Sequence, residues 1–140
     1  MKKTNKGFSL VELIIVIAIM AILIGVLAPQ YIKYVEKSRL SADKDSCESL
    51  KTAIQTAASD EDYYDALGAG DGASMNNSGV APVGSGTGIT SALNEYFSAW
   101  NKTKFKSKAF RATTYTVSLY SGTDSSALKV SENFAPGDVN

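Results

Sequence analysis

The chain has 140 residues, 44% hydrophobic and 20% charged, with fourteen Lys+Arg against fourteen Asp+Glu and no histidine. That length holds one domain, or one domain with an appendage, and the missing histidine removes the commonest general base, the commonest transition-metal ligand and every Ser-His or Cys-His nucleophile pair. A single cysteine, Cys47, excludes an intrachain disulfide or a multi-thiolate metal site, and zero formal net charge argues against a dedicated nucleic-acid binder.

Lys2, Lys3 and Lys6 open the chain, with no acid among the first eleven residues. Residues 13–28, LIIVIAIMAILIGVLA, are sixteen residues without a polar side chain; carried back to Phe8 the run is twenty-one long, broken only by Ser9 and Glu12. About 20 apolar residues in a helix match the roughly 30 Å hydrocarbon core of a bilayer. A membrane-inserted helix is expected, its basic start in the cytoplasm and residue 30 onward outside. A conventional secretory signal fits less well: its apolar region runs about 7–15 residues and ends in an A-x-A-like site, whereas Val26-Leu27-Ala28 precedes Pro29 here.

A carboxylate within such a run costs about 2.5–3.5 kcal/mol at mid-membrane and less near the interface. Glu12 either sits among the headgroups or needs a cationic partner. A cut between Gly7 and Phe8 creates an ammonium at Phe8, four residues before Glu12 and on the same helix face, within one chain or between neighbouring copies.

Lys6-Gly7 followed by Phe8-Ser9-Leu10-Val11-Glu12-Leu13 and the apolar run resembles the class III signal of type IV pilins and pilin-like proteins. The resemblance covers about residues 1–35. It implies removal of residues 1–7 by a prepilin peptidase, N-methylation of Phe8 by the same enzyme, a requirement for Glu12 in assembly and a helix-kinking proline at Pro29; a kink or locally melted turn near Gly25–Pro29 is also expected from the residues themselves. Loss of Lys2, Lys3 and Lys6 leaves eleven basic and fourteen acidic side chains, a formal charge of −3.

Pro29 lacks an N–H and crowds the preceding turn, but residues 30–59 contain no Gly or Pro, so helix resumes beyond it. Leu40, Cys47, Leu50, Ile54 and Ala57 form one apolar stripe, with Lys37, Asp43, Lys44, Glu48 and Lys51 placed largely off it. On that stripe Cys47 reads as a small buried hydrophobe. The helix over residues 8–59 is about 78 Å long, more than a globule of this size can enclose. Residues 60–65, Asp-Glu-Asp-Tyr-Tyr-Asp, end it in an acidic run without the ligand spacing of an EF-hand, read as a solvated loop. Residues 68–88 carry seven glycines and read as a long surface loop.

Ile89, Leu93, Phe97 and Trp100 predict a short amphipathic helix over 90–101, N-capped by Thr90 or Ser91. Residues 104–120 alternate and are rich in Thr, Val, Tyr and Phe; turn residues 121–124 precede a further strand at 127–132, giving a meander of two or three strands. Lys102, Lys104, Lys106, Lys108 and Arg111, with Phe105 and Phe110 between them, suit either nucleic-acid phosphates and bases or, more simply, the solvated face of an edge strand. Asn101-Lys102-Thr103 fits a glycosylation sequon only weakly. Residues 135–140 read as a frayed end.

The expected fold is α+β: a long N-terminal helix, membrane-inserted and kinked near Pro29, packed by its second half on a small antiparallel sheet, as in pilins. The expected segments are a cleaved leader (1–7), a transmembrane and filament-core half-helix (8–28), an amphipathic half-helix (29–59) and a globular head (60–140). No catalytic residues, metal or cofactor are expected. The resemblance implies a structural subunit of an extracellular type IV pilus supporting adhesion, motility or DNA uptake. Its implied partners are other copies of itself, minor pilins, the prepilin peptidase and an assembly machine with ATPases and an inner-membrane platform. It would be a single-pass protein of the cytoplasmic membrane before assembly and a cell-surface protein afterwards. Two rivals remain: a major pseudopilin of a secretion or competence system, and an extracellular binding module on a plain single-pass anchor.

Overall fold

The structure, a computed structural model of the 140-residue chain, describes residues 7–84, 87–121, 128–133 and 136. The expectations for residues 1–6, for the turn at 122–124 and for the tail beyond 134, Pro136 apart, lie outside the described residues. Two compact units divide the chain, Met1–Val35 and Glu36–Asn140.

Helix α1 spans Leu10–Ser59 and continues through Pro29. Strong helix formers carry it past Gly25 and Pro29, the two residues along it that most disfavour helix. Hydroxyls on its exposed face return hydrogen bonds to their own helix: Ser46, Ser49, Thr56 and Ser59 donate to the carbonyls four residues earlier at 2.8–3.0 Å. Asp60 ends it. Its side chain accepts from Asp62 N at 3.0 Å and N-caps a single turn, α2 (Glu61–Tyr64), so the acidic run expected as a loop is a short helix.

In the second unit four strands, β1 (Gly72–Met75), β2 (Val80–Val83), β3 (Tyr115–Ser121) and β4 (Leu128–Glu132), form one antiparallel sheet in the order β2-β1-β3-β4. The expected α+β architecture is present, with more sheet than expected. The glycine-rich stretch 68–88 is not simply a loop, since β1 and β2 lie inside it. Glycine is required there: a Cβ on Gly72 would stand 2.0 Å from Val117 O, so β1 reaches β3 only without a side chain. Gly84 follows β2 at φ +104°, where a Cβ would meet Asp71.

A third helix, α3 (Gly88–Tyr96), starts two residues earlier than expected, after Thr87, and is followed by a 3₁₀ turn at Trp100–Lys102. The core joins the apolar stripe of α1 (Cys47, Leu50, Ile54 and Ala57) to Ile89 and Leu93 of α3 and to Tyr115, Val117 and Leu119, the inward residues of β3. Each fully buried Leu or Ile contributes about 1.5–3 kcal/mol.

Residues 104–114 are not a strand, which corrects the edge-strand reading of the basic segment. Their side chains still alternate, with Phe105 and Ser107 buried and Lys104, Lys106 and Lys108 exposed. The main-chain N–H groups, however, bond to carboxylates of α1. Lys106 N donates to both oxygens of Asp43 at 3.0 Å, Ser107 N to Asp43 Oδ2 at 2.7 Å, and Lys108 N to Glu36 Oε1. Phe105 and Phe110 pack on each other at 4.5 Å and face the core.

Candidate functional site

The N-terminal unit presents its apolar residues outward. From Phe8 to Leu27 every large hydrophobic side chain is exposed, Phe8 to 88%, and α1 is long and apolar enough there to cross a membrane. Such a surface is stable only in lipid or against other protein. Gly7 and Gly25 have open space where a Cβ would stand.

The start of α1 is built around Glu12. Leu13 N donates to Ser9 O at 3.2 Å, opening the helix, and Ser9 N donates to Glu12 Oε2 at 2.9 Å. Ser9-Leu10-Val11-Glu12 has the spacing of a capping box, in which a glutamate in the first turn reaches back to the cap residue's N–H. The helix dipole adds to this attraction. Glu12 therefore has a local partner, a bond absent from the sequence expectation although Ser-x-x-Glu announces it. Phe8 lies two residues ahead of the first helical residue, Leu10, so its four-residue spacing to Glu12 is not a helical one in this structure, in contrast to the shared helix face expected from sequence.

Residues 2–28 match the prokaryotic N-terminal methylation motif. Across a larger part of the chain, 36% of 104 aligned residues are identical to the type IV major fimbrial protein FimA of Dichelobacter nodosus, an alignment covering 66% of this chain and 67% of that protein. The chain belongs to the type IV pilin family. Further relatives include the type IV major pilin protein PilA of Myxococcus xanthus, 40% identical over 43% of this chain and 27% of that one, and the fimbrial protein EcpC of Eikenella corrodens, 36% identical over 59% and 56%. No solved structure matches. The pilin's long helix on a small antiparallel sheet agrees with the family.

Three polar clusters shape the pilin's second unit. Asp43, 2% exposed, is the carboxylate that holds the 106–107 main chain. Its sequence position, three after Leu40 and four before Cys47, puts it on the apolar stripe, contrary to the expectation that it lay off it. Near α2, Tyr63 donates to Glu95 Oε2 at 2.6 Å and Tyr96 to Asp60 Oδ2. These bonds push both phenols up to about 12 and hold Asp60 below the usual carboxylate range.

The third cluster joins α1 to the sheet. Glu132 accepts from Lys51 Nζ at 2.9 Å and from Tyr115 Oη at 2.6 Å. The bond from Tyr115, then that from Lys51, lowers the pKa of Glu132. A depressed folded-state value contributes stability above the ordinary carboxylate range and loses it as pH falls through the folded value. Unfolding midpoints in urea are accordingly expected to fall between pH 5 and pH 3 more steeply for the native chain than for Glu132→Gln. Parallel slopes would show that this cluster does not govern acid sensitivity.

Proposed function

We propose that this pilin is made as a precursor, cut between Gly7 and Phe8 by a prepilin peptidase, N-methylated at Phe8 and polymerised through its N-terminal helix into an extracellular type IV pilus. The observation that carries the reading is the junction itself: Gly7-Phe8 lies open at the end of an uncovered apolar helix with Glu12 in its first turn. Residues 1–7 act as the leader and 8–28 as the membrane span and later the filament core. Residues 29–59 are the amphipathic half, and 60–140 the head.

Before assembly the apolar sleeve is covered by lipid. It leaves the bilayer only where other copies bury it, so the filament core replaces the membrane as its solvent. The cut converts an amide at Phe8 into an ammonium beside Glu12. The Glu12 carboxylate, held in the precursor by Ser9 N–H, then pairs with the Phe8 amine of a neighbouring subunit, neutralising both charges in an apolar core and fixing the stagger between copies. A heterologous contact of this kind does not close on itself and gives an open helix. Gly25 and Pro29 supply a bend or locally opened turn by which residues 8–28 adapt to the core. Assembly ATPases, an inner-membrane platform and minor pilins are the expected partners, and adhesion, motility or DNA uptake the expected use.

Mass spectrometry of the N-terminal peptide from filaments sheared off cells tests the reading. The expected product starts at Phe8 and carries one added methyl group. A chain starting at Met1 and found only in membranes would overturn it and favour the plain anchored module; processed material never released by shearing would favour the pseudopilin.

A further inference from the structure

The basic segment points to a second interface. Lys102, Lys104, Lys106, Lys108 and Arg111 are exposed. Among the described residues the ion pair present is Lys51–Glu132, so none of these five cations meets a carboxylate there. The neighbouring acids Asp43 and Glu36 bond to main-chain N–H groups of the segment, which pins the loop while leaving its ammonium groups free to face outward. Lys102, Lys104 and Lys106 line a cleft of about 140 Å³ with Ala42, Asp43 and Ser46.

At the other end of the packed part of α1 the charge is reversed. Glu61, Asp62 and Asp65 are exposed on and just after α2 and have no cation beside them among the described residues, whereas Asp60 and Glu95 already accept the tyrosine hydroxyls. From Asp43 to the end of α1 is roughly 25 Å along the helix. The two patches of one head are therefore too far apart to neutralise each other.

We infer that the basic segment 102–111 of one subunit docks the acidic turn 61–65 of the next, forming a unidirectional contact between heads in the filament. This rests on the filament reading above. A head with a cationic patch at one end of its packed helix and an anionic patch at the other stacks only in one sense, and repetition of that contact leaves both ends open. Exposed ion pairs are individually weak and screened by salt, so the contact governs register and direction more than strength. Nucleic acid is the poorer occupant. Phe105 and Phe110, the aromatic residues that would stack on bases, are 5% and 0% exposed, and the chain has no basic excess.

Zero-length carbodiimide cross-linking of wild-type sheared filaments, followed by peptide mass spectrometry, tests the contact without any variant. Amide links from Lys104, Lys106 or Lys108 to Glu61, Asp62 or Asp65 are expected, and the distance within one head requires them to join two copies. In parallel, Lys104→Glu with Lys106→Glu and Lys108→Glu is expected to lower sheared filament yield about tenfold at unchanged membrane pilin, with recovery when Glu61, Asp62 and Asp65 are also changed to Lys. N-methyl-Phe8 filaments that lack these links, or a reversal that the second set does not rescue, would overturn the contact and leave the filament reading intact. Filaments whose lysines stay open to amine reagents and retard duplex DNA would overturn it in favour of nucleic acid. Failure to find any processed filament would overturn both.

Discussion

Asp43→Ala is expected to cost the head about 2–4 kcal/mol, since it removes the acceptor of the part-buried Lys106 N–H and leaves the buried Ser107 N–H without a partner. That is a large part of the roughly 5–15 kcal/mol that holds a domain folded. Asp43→Asn keeps one acceptor oxygen but sets an NH₂ against an N–H, so an intermediate loss is expected. Asp45→Ala, two residues along on the exposed face of α1, is expected to change stability by less than about 0.5 kcal/mol. Urea unfolding of the full chain in detergent, followed by the fluorescence of its single tryptophan, Trp100, gives all three values. An Asp43→Ala loss below about 1 kcal/mol would mean that the 104–108 segment has another anchor.

Glu12→Ala is expected to abolish filaments while leaving pilin in the membrane and the cut at Gly7-Phe8 intact. Without Glu12 the Phe8 ammonium would enter the apolar core unpaired, at a cost of about 2.5–3.5 kcal/mol, which weakens each subunit contact by about 100-fold, repeated along the polymer. The observed bond of Glu12 to Ser9 N–H has to be separated from its proposed pairing with the Phe8 amine. Glu12→Gln separates them. It still accepts from Ser9 N–H but carries no charge, so the cap survives and the pairing does not. Filament yield by shearing and immunoblotting is expected to be low for both variants, and normal filaments from Glu12→Gln would reduce the residue to a helix cap.

How legible these features are in the chain depends on what encodes each one. The apolar run and the stripe Cys47, Leu50, Ile54, Ala57 are local patterns, and the helix that carries them is there to be read; the Gly7-Phe8 junction is a local pattern as well, just ahead of that helix. The β1–β2 hairpin is not, because glycine, serine and alanine read as loop while Gly72 sits in a strand for lack of room beside β3. The segment 104–108 misleads in the opposite direction. Its alternation correctly reports which side chains face inward, yet a strand also needs a ladder, and here a helix carboxylate supplies the acceptors. Asp43 was hidden by its own charge, since a search for apolar residues passes over an acid at the right helical position.

Cys47 offers a clock for the head's opening. It is fully enclosed, and burial, with Asp43, Glu48 and Glu132 nearby, pushes its thiol up to about 12, so almost no thiolate exists at neutral pH in the closed head. A thiol reagent meets it only while the core is transiently open. When closing outpaces alkylation, the labelling rate relative to a free thiol equals the open fraction, with every tenfold slowing worth about 1.4 kcal/mol of opening free energy. Since this is the chain's one sulfhydryl, the modified mass reports a single event in each subunit. The reading can be taken in assembled polymer, where heat and denaturant curves would mix head opening with depolymerisation.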